Sequence, residues 1–270
     1  MSRVVVCSLT CLLVACGSPP ASAPLPQPAP DPAQPVADGH AGHGARAAHD
    51  LHAQEHEIAG EMAQPVEDHR GRNHHRHHRF EHAEKWAPQF DSAEREAWQK
   101  PDAVIAALEL RPESRVADLG AGTGYFAVRL ARAVPKGRVF AQDLEADMVR
   151  YLGERATREG LTNLVAVQGE PDDPKLPEQV DLAIMVDTYH HVADPTAYFA
   201  RVRDRLAPGG RLVIVDFKKD APDDAPGPPA VMRIADDIVT GHLVKLGFVH
   251  QRTDRELLPY QYLVFLQRPA

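Results

Sequence analysis

Three glycines and a carboxylate carry the first chemical signal in this chain. Gly120, Gly122 and Gly124 alternate within Val116-Ala117-Asp118-Leu119-Gly120-Ala121-Gly122-Thr123-Gly124-Tyr125-Phe126. Glycine takes up positive φ without strain and has no Cβ to hold a ligand off the backbone. Such a turn between a buried strand and a helix aims backbone N–H groups and a helix N-terminus at a bound small molecule. Asp118 adds a carboxylate beside it. A second group, Asp187-Thr188-Tyr189-His190-His191, follows the apolar run 182–186. It combines a carboxylate, a phenol and two imidazoles, side-chain types that move protons.

Apolar runs predict strands at 115–119, 138–142, 164–168, 180–186, 211–217, 248–252 and 261–267, and helical spacing predicts helices at 124–134, 145–159, 195–206 and 230–246. Strands and helices alternating in this way imply a mainly parallel sheet covered on both faces. Ligands then bind at the carboxyl ends of the strands. The last two strands follow one another without a helix, so one antiparallel member is expected at an edge. Ahead of the sheet, Phe80, Trp86, Phe90 and Trp98 cluster among charges. We read two short amphipathic helices there, 81–87 and 92–99. A third opens at Pro101-Asp102 and carries Val104, Ile105 and Leu108. Proline suits a first helical turn, and aspartate complements the helix dipole there. Together they make an N-terminal helical cap, 80–110. Its tryptophans read either as core anchors or as a lid over a ligand pocket.

The chain's 270 residues suffice for one sizeable α/β domain with additional segments. A formal net charge of -8 argues against nucleic acid as a partner. The three cysteines are Cys7, Cys11 and Cys16. From Gly17 onward, disulfides, thiolate nucleophiles and cysteine metal sites are therefore excluded.

Residues 1–15 have the pattern of a signal peptide: Arg3, then an apolar core at 4–14 too short to span a bilayer. Leu13-Val14-Ala15-Cys16 resembles the bacterial lipoprotein processing box. That resemblance implies cleavage before Cys16, acylation of Cys16, and a lipid-anchored protein of the cell envelope on the periplasmic face. An ordinary cleaved signal is the alternative. Residues 16–38 contain Pro19, Pro20, Pro24, Pro26, Pro28, Pro30, Pro32 and Pro35, and read as a semi-extended tether. Residues 39–79 hold His40, His43, His49, His52, His56, His69, His74, His75, His77 and His78. We read this segment as a disordered, solvated tail whose imidazoles could bind transition metals weakly. Arg70, Arg72, Arg76 and Arg79 could touch an anionic membrane surface.

A dinucleotide fingerprint requires G-x-G-x-x-G, but here Tyr125 stands where the third glycine is due. The G-x-G-x-G spacing after Asp118 resembles the class I S-adenosylmethionine-dependent methyltransferases, over roughly residues 80–267. Three further blocks resemble that family in the same order: Val139-Phe140-Ala141-Gln142-Asp143, then 181–192, then Leu206-Ala207-Pro208-Gly209-Gly210-Arg211-Leu212. The resemblance implies a doubly wound, mostly parallel seven-stranded sheet of Rossmann-like methyltransferase type in a domain 111–270, with S-adenosylmethionine as cofactor. It implies that Gly120, Ala121, Gly122 and Gly124 approach the cofactor's amino-acid end and ribose. Asp118 would receive the ammonium, Asp143 the ribose hydroxyls, and Leu144 the adenine face. The family presents an acidic residue near the adenine amine, and Glu170 or Asp172 could supply it. Asp187 and Tyr189 would stand beside the methyl group.

The reaction so implied is an in-line displacement on a small-molecule acceptor, in which the protein aligns the reactants, excludes water and removes a proton. His190, Tyr189 and Asp187 are the catalytic candidates, while His191 reads as a packing residue. The missing cysteines argue against the family's arsenic chemistry. Two other readings remain. One is a non-catalytic lipoprotein holding a nucleoside-like ligand or a metal, favoured by the conflict between an export signal and a cofactor made in the cytoplasm. The other is a nicotinamide oxidoreductase, which the glycine spacing disfavours.

Overall fold

The computed structural model describes Phe80 and residues 82–270, together with the backbone of 66–67 and 73–74. Those two dipeptides pair as an antiparallel ladder, Val66 with His74 and Glu67 with Asn73. The processing box at Cys16, the tether 16–38 and the remainder of the histidine-rich segment 39–79 lie outside the described residues.

Seven strands form the main sheet: β1 (Arg115–Leu119), β2 (Arg138–Asp143), β3 (Leu164–Gln168), β4 (Val180–Val186), β5 (Leu206–Phe217), β6 (Val249–Asp254) and β7 (Gln261–Gln267). Their order is β3-β2-β1-β4-β5-β7-β6. All neighbours run parallel except where β7 meets β5 and β6. The doubly wound, mostly parallel sheet is therefore as expected. The antiparallel strand, however, lies one place in from the edge. Burial explains this: six of the seven residues of β7 are buried, whereas the first four of β6 are exposed. An apolar run needs cover on both faces, and a polar strand tolerates the edge.

Strand residues alternate between two cores, as side chains on a pleated sheet must. Val116, Val139, Ile184, Val213 and Leu263 share one face with Val104, Leu130 and Leu152. These last come from α3 (Pro101–Ala107), α4 (Tyr125–Ala133) and α5 (Ala146–Arg158). Leu119, Phe140, Met185, Ile214 and Val264 share the other with Phe199 and Leu243, of α6 (Pro195–Arg205) and α7 (Asp236–Lys245).

Helix α7 starts later than the predicted 230. Pro228 and Pro229 precede it, and proline withholds the amide donor a helix interior needs. The buried Arg233 side chain instead donates to the carbonyls of Pro228, Ala221 and Pro222, holding this connection as a loop. Asp236 and Asp237 then supply the acidic first turn.

The cap consists of α1 (Ala83–Phe90), α2 (Glu94–Gln99) and α3. Trp86 packs with Phe80 and Phe90 at 5.1 and 5.8 Å between ring centroids, in a cluster with Met148 of α5. Trp98 packs on Phe217 at 5.8 Å. Both tryptophans are anchors. No helix among the described residues is long and apolar enough to cross a membrane.

Candidate active site

The turn between β1 and α4 holds Gly120 at φ +72° and Gly122 at φ +55°. Gly120 also lacks room. A Cβ on Gly120 would lie 2.5 Å from Thr188 Cγ2, and one on Gly122 would lie 3.4 Å from the Phe90 ring. The cap residue Phe90 thus rests on the turn. The amides of Gly120 and Ala121 donate to the Gln142 carbonyl at 2.9 and 2.8 Å. The Gly122 amide donates to Asp143 Oδ2 at 2.8 Å, and the Glu145 amide to Asp143 Oδ1 at 3.0 Å. Asp143 therefore fastens the turn to the end of β2. Burial holds its carboxyl above the usual range, with those two amides opposing. Leu144, next to it, is 43% exposed and offers an apolar face.

Asp118 is 2% exposed. Its Oδ2 has no hydrogen-bond partner among the described residues. Burial first, and the Asp143 charge second, push its carboxyl up to about 7. A bound cation would relieve both effects. The orphaned oxygen, the glycine turn, the Asp143 carboxylate and the exposed Leu144 together fit a ligand with an ammonium, a diol and a flat base. That is the donor set of S-adenosylmethionine.

The loop after β3 begins beside Asp143, where the Gly169 amide donates to the Asp143 carbonyl at 2.9 Å. Glu170 is exposed and turns its carboxylate to Lys175 at 3.2 Å. Its backbone pairs with Asp173. Asp172 is exposed.

At the end of β4, Asp187 sits at φ +54° with its amide on the Val215 carbonyl at 3.0 Å. One carboxylate oxygen accepts from Gln261 of β7. The other accepts from Gln99 at 2.7 Å and Arg95 at 3.3 Å, both of α2. Burial pushes Asp187 up to about 6, against the pull of Arg95. Gln99 and Gln261 are fully buried and bond each other at 3.1 Å. The Arg95 guanidinium also stacks over Tyr125 at 4.2 Å. Asp187 is thus one of the points where cap and sheet are tied together, beside the Trp98–Phe217 contact.

Tyr189 and His190 diverge, although both lie in the 3₁₀ turn Tyr189–His191. Tyr189 turns towards α6 and α7, stacking on Phe199 at 5.3 Å with its hydroxyl 2.7 Å from His242 Nδ1. Burial pushes its phenol up to about 12. His190 turns to the end of β5, with Nδ1 3.1 Å from both carboxylate oxygens of Asp216. His191 lies 4.2 Å from the His190 ring and meets Phe80 edge-on at 5.9 Å, the packing role expected of it. Arg95, Gln99, Gln261 and Asp216 escaped the sequence reading. Asp216 had a legible signal: β1, β2, β4 and β5 each carry an aspartate at, or within one residue of, the carboxyl end.

Residues 116–210 match the methyltransferase domain family. An uncharacterized 37.1 kDa protein in transposon Tn4556 of Streptomyces fradiae is 38% identical over 116 residues, 41% of this chain and 32% of its own length. The ubiquinone/menaquinone biosynthesis C-methyltransferase of Cupriavidus metallidurans is 28% identical over 117 residues, 43% of this chain and 48% of its own length. The chain thus spans less than half the length of these relatives. A SAM-dependent methyltransferase from Aquifex aeolicus superposes with a TM-score of 0.63 at 26% identity, covering 69% of this chain and 98% of that one. Magnesium protoporphyrin IX methyltransferase from Synechocystis PCC 6803 shares the fold at a TM-score of 0.50 and 19% identity, covering 63% of this chain and 82% of its own. Residues 116–210 thus match a methyltransferase domain, and the described sheet and helices have the fold of the class I S-adenosylmethionine-dependent methyltransferases.

Proposed function

We propose that this methyltransferase domain moves a methyl group from S-adenosylmethionine to a small-molecule acceptor, at the carboxyl ends of β1, β2, β4 and β5. The observation that carries the reading is Asp118, a buried carboxylate beside a glycine turn with one oxygen that has no partner among the described residues. When bound, the cofactor supplies a methyl group already activated on a sulfonium. Asp118 holds its ammonium, Asp143 its ribose hydroxyls, Leu144 its adenine. Glu170 or Asp172 meets the adenine amine, and Glu170 does so only on leaving Lys175. The cap excludes water by resting Phe90 on the turn. Asp187, held by Arg95, Gln99 and Gln261, orients the acceptor, and His190 takes its proton. Tyr189 steadies the 3₁₀ turn through His242 and Phe199. The likeness to a quinone C-methyltransferase supports an acceptor of quinone-like size.

The processing box supports placement in the cell envelope, anchored through an acylated Cys16. The same box favours a second reading, a lipoprotein that binds a nucleoside-like ligand without turnover. Calorimetry of the full chain with S-adenosylmethionine tests the first step of both. Saturable heat is expected, with Asp143→Ala weakening affinity about tenfold or more, the loss of one or two hydrogen bonds to a charged group. Folded protein giving no heat at millimolar ligand would sink the methyltransferase reading. Binding without loss of the methyl group, across a broad panel of acceptors, would favour the second.

A further inference from the structure

We propose that the amino-terminal pole of the sheet holds a second binding site, separate from the candidate active site, for a phosphate dianion or the phosphomonoester of a larger molecule. A bulge builds the site. Val180 of β4 pairs with Leu206 of β5, and Leu182 with Arg211, so residues 207–210 stand opposite Asp181 alone. Beside this surplus chain lies a cavity of about 250 Å³, lined by Glu109, Arg111, Ser114, Asp181, Gly210 and Arg211 among others. Its rim is open to solvent, because Glu109 and Arg111 are exposed. Ser114 directly precedes β1, and Asp181 is the second residue of β4. The cavity is therefore at the opposite end of these strands from Asp118 and Asp187.

Two guanidinium groups in this cavity lack acidic partners. The Arg111 side chain makes no hydrogen bond or ion pair among the described residues. Arg211 is half-buried, and its guanidinium makes one long bond there, from Nη2 to the Glu109 carbonyl at 3.4 Å. The neighbouring carboxylates do not cover them. Both Asp181 oxygens are taken by Arg115, through its amide at 2.8 Å and its guanidinium at 3.2 Å. The Glu109 carboxylate forms no ion pair among the described residues. Arg252 adds a third positive charge near Arg211, stacked on Phe265 at 3.5 Å and 3.6 Å from Asp254. Burial lowers the Arg211 titration; the Glu109 charge opposes this, and Arg111 and Arg252 add to it. An anion between the guanidiniums would relieve the repulsion. Ser114, 5% exposed, accepts the Arg111 amide at 3.0 Å, and its own O–H has no acceptor among the described residues. Two guanidiniums and a hydroxyl offer more donors, from more directions, than the two oxygens of a carboxylate can meet. A tetrahedral phosphate meets them. In a chain of net charge -8, such a cluster is not the by-product of a basic surface.

Calorimetry and thermal melts of the full chain in phosphate, against chloride at matched ionic strength, test the site. The wild type is expected to give saturable heat with inorganic phosphate and a Tm that rises with its concentration. Arg111→Gln and Arg211→Gln are each expected to weaken binding about tenfold or more, as loss of a charge-assisted contact does. Arg111 is exposed, so its variant decides the matter even if Arg211→Gln fails to fold. Glu109→Gln, which removes a negative charge from the cavity, is expected to tighten binding roughly threefold. S-adenosylmethionine affinity should not change with phosphate. No heat beyond that in chloride would overturn the proposal. So would heat undiminished in folded Arg111→Gln, or competition between phosphate and S-adenosylmethionine. Flotation of the Cys16→Ser chain with phosphatidylcholine vesicles carrying phosphatidic acid separates the two sources of phosphate. Vesicle binding lost in Arg111→Gln would assign a lipid headgroup, and heat from free phosphate without vesicle binding would assign a soluble one.

Discussion

At the scale of single residues, Asp118 carries the largest electrostatic consequence. Its carboxyl titrates near 7 in the fold against an ordinary value of 3.8, so between those values the folded chain binds more protons than the unfolded one. Stability present below about pH 4 is therefore lost as pH rises through 7. The full loss is on the order of 4 kcal/mol from a shift of this size. Asp187, pushed up to about 6, acts in the same direction. Asp118→Asn should remove the larger part. In thermal melts without ligand at pH 8, we expect that variant to be more stable than the wild type by ~2 kcal/mol or more, with a flatter profile from pH 4 to 7. The same change should abolish S-adenosylmethionine binding, because the ammonium loses its countercharge. A variant less stable than the wild type at pH 8 would show that Asp118 is held by native contacts and is not kept for a cation.

At the scale of elements, the cap is joined to the sheet by a few polar contacts spanning great sequence distance. Gln99 and Gln261 are 162 residues apart, and Arg95 reaches Asp187 across 92. Contacts of this kind leave no local pattern, which is why Arg95, Gln99 and Gln261 were illegible while the glycine turn and Asp143 were plain. Strands β1, β3, β4 and β7 match their predicted bounds because each is an apolar run cut off by turn residues. The place of β7 was not legible. Register along one strand says nothing of which neighbour it will join, and only the contrast in polarity with β6 pointed there. Removing the Arg95 charge tests the joint. Arg95→Met should leave Asp187 buried on two amides without its cation, at a loss of about 3 kcal/mol. Hydrogen exchange should then quicken through 83–107 while β1 and β4 stay protected. Equal quickening throughout would mean that the cap and sheet open as one unit and that the joint is not at Asp187.

At the scale of the whole molecule, the turn that fits S-adenosylmethionine stands in a chain whose first residues resemble an export signal. The two can be tested against each other, because Cys16 is the first residue of the proposed mature protein. Among the described residues no helix is long and apolar enough to cross a bilayer, and the hold on the membrane proposed here is by acyl chains on Cys16. One chain binds marginally and several bind firmly. Mass spectrometry of the native protein should accordingly find an N-terminus at Cys16 carrying acyl mass, and Cys16→Ser should move the chain into the soluble fraction. If that holds, the enzyme requires its methyl donor outside the compartment where the donor is made. The ligand-binding reading then gains unless extracytoplasmic donor is found. A native chain still beginning at Met1 would refute export, and with it the only argument for the second reading. The cofactor would then be at hand, and Asp118 and Asp143 would act where S-adenosylmethionine is abundant.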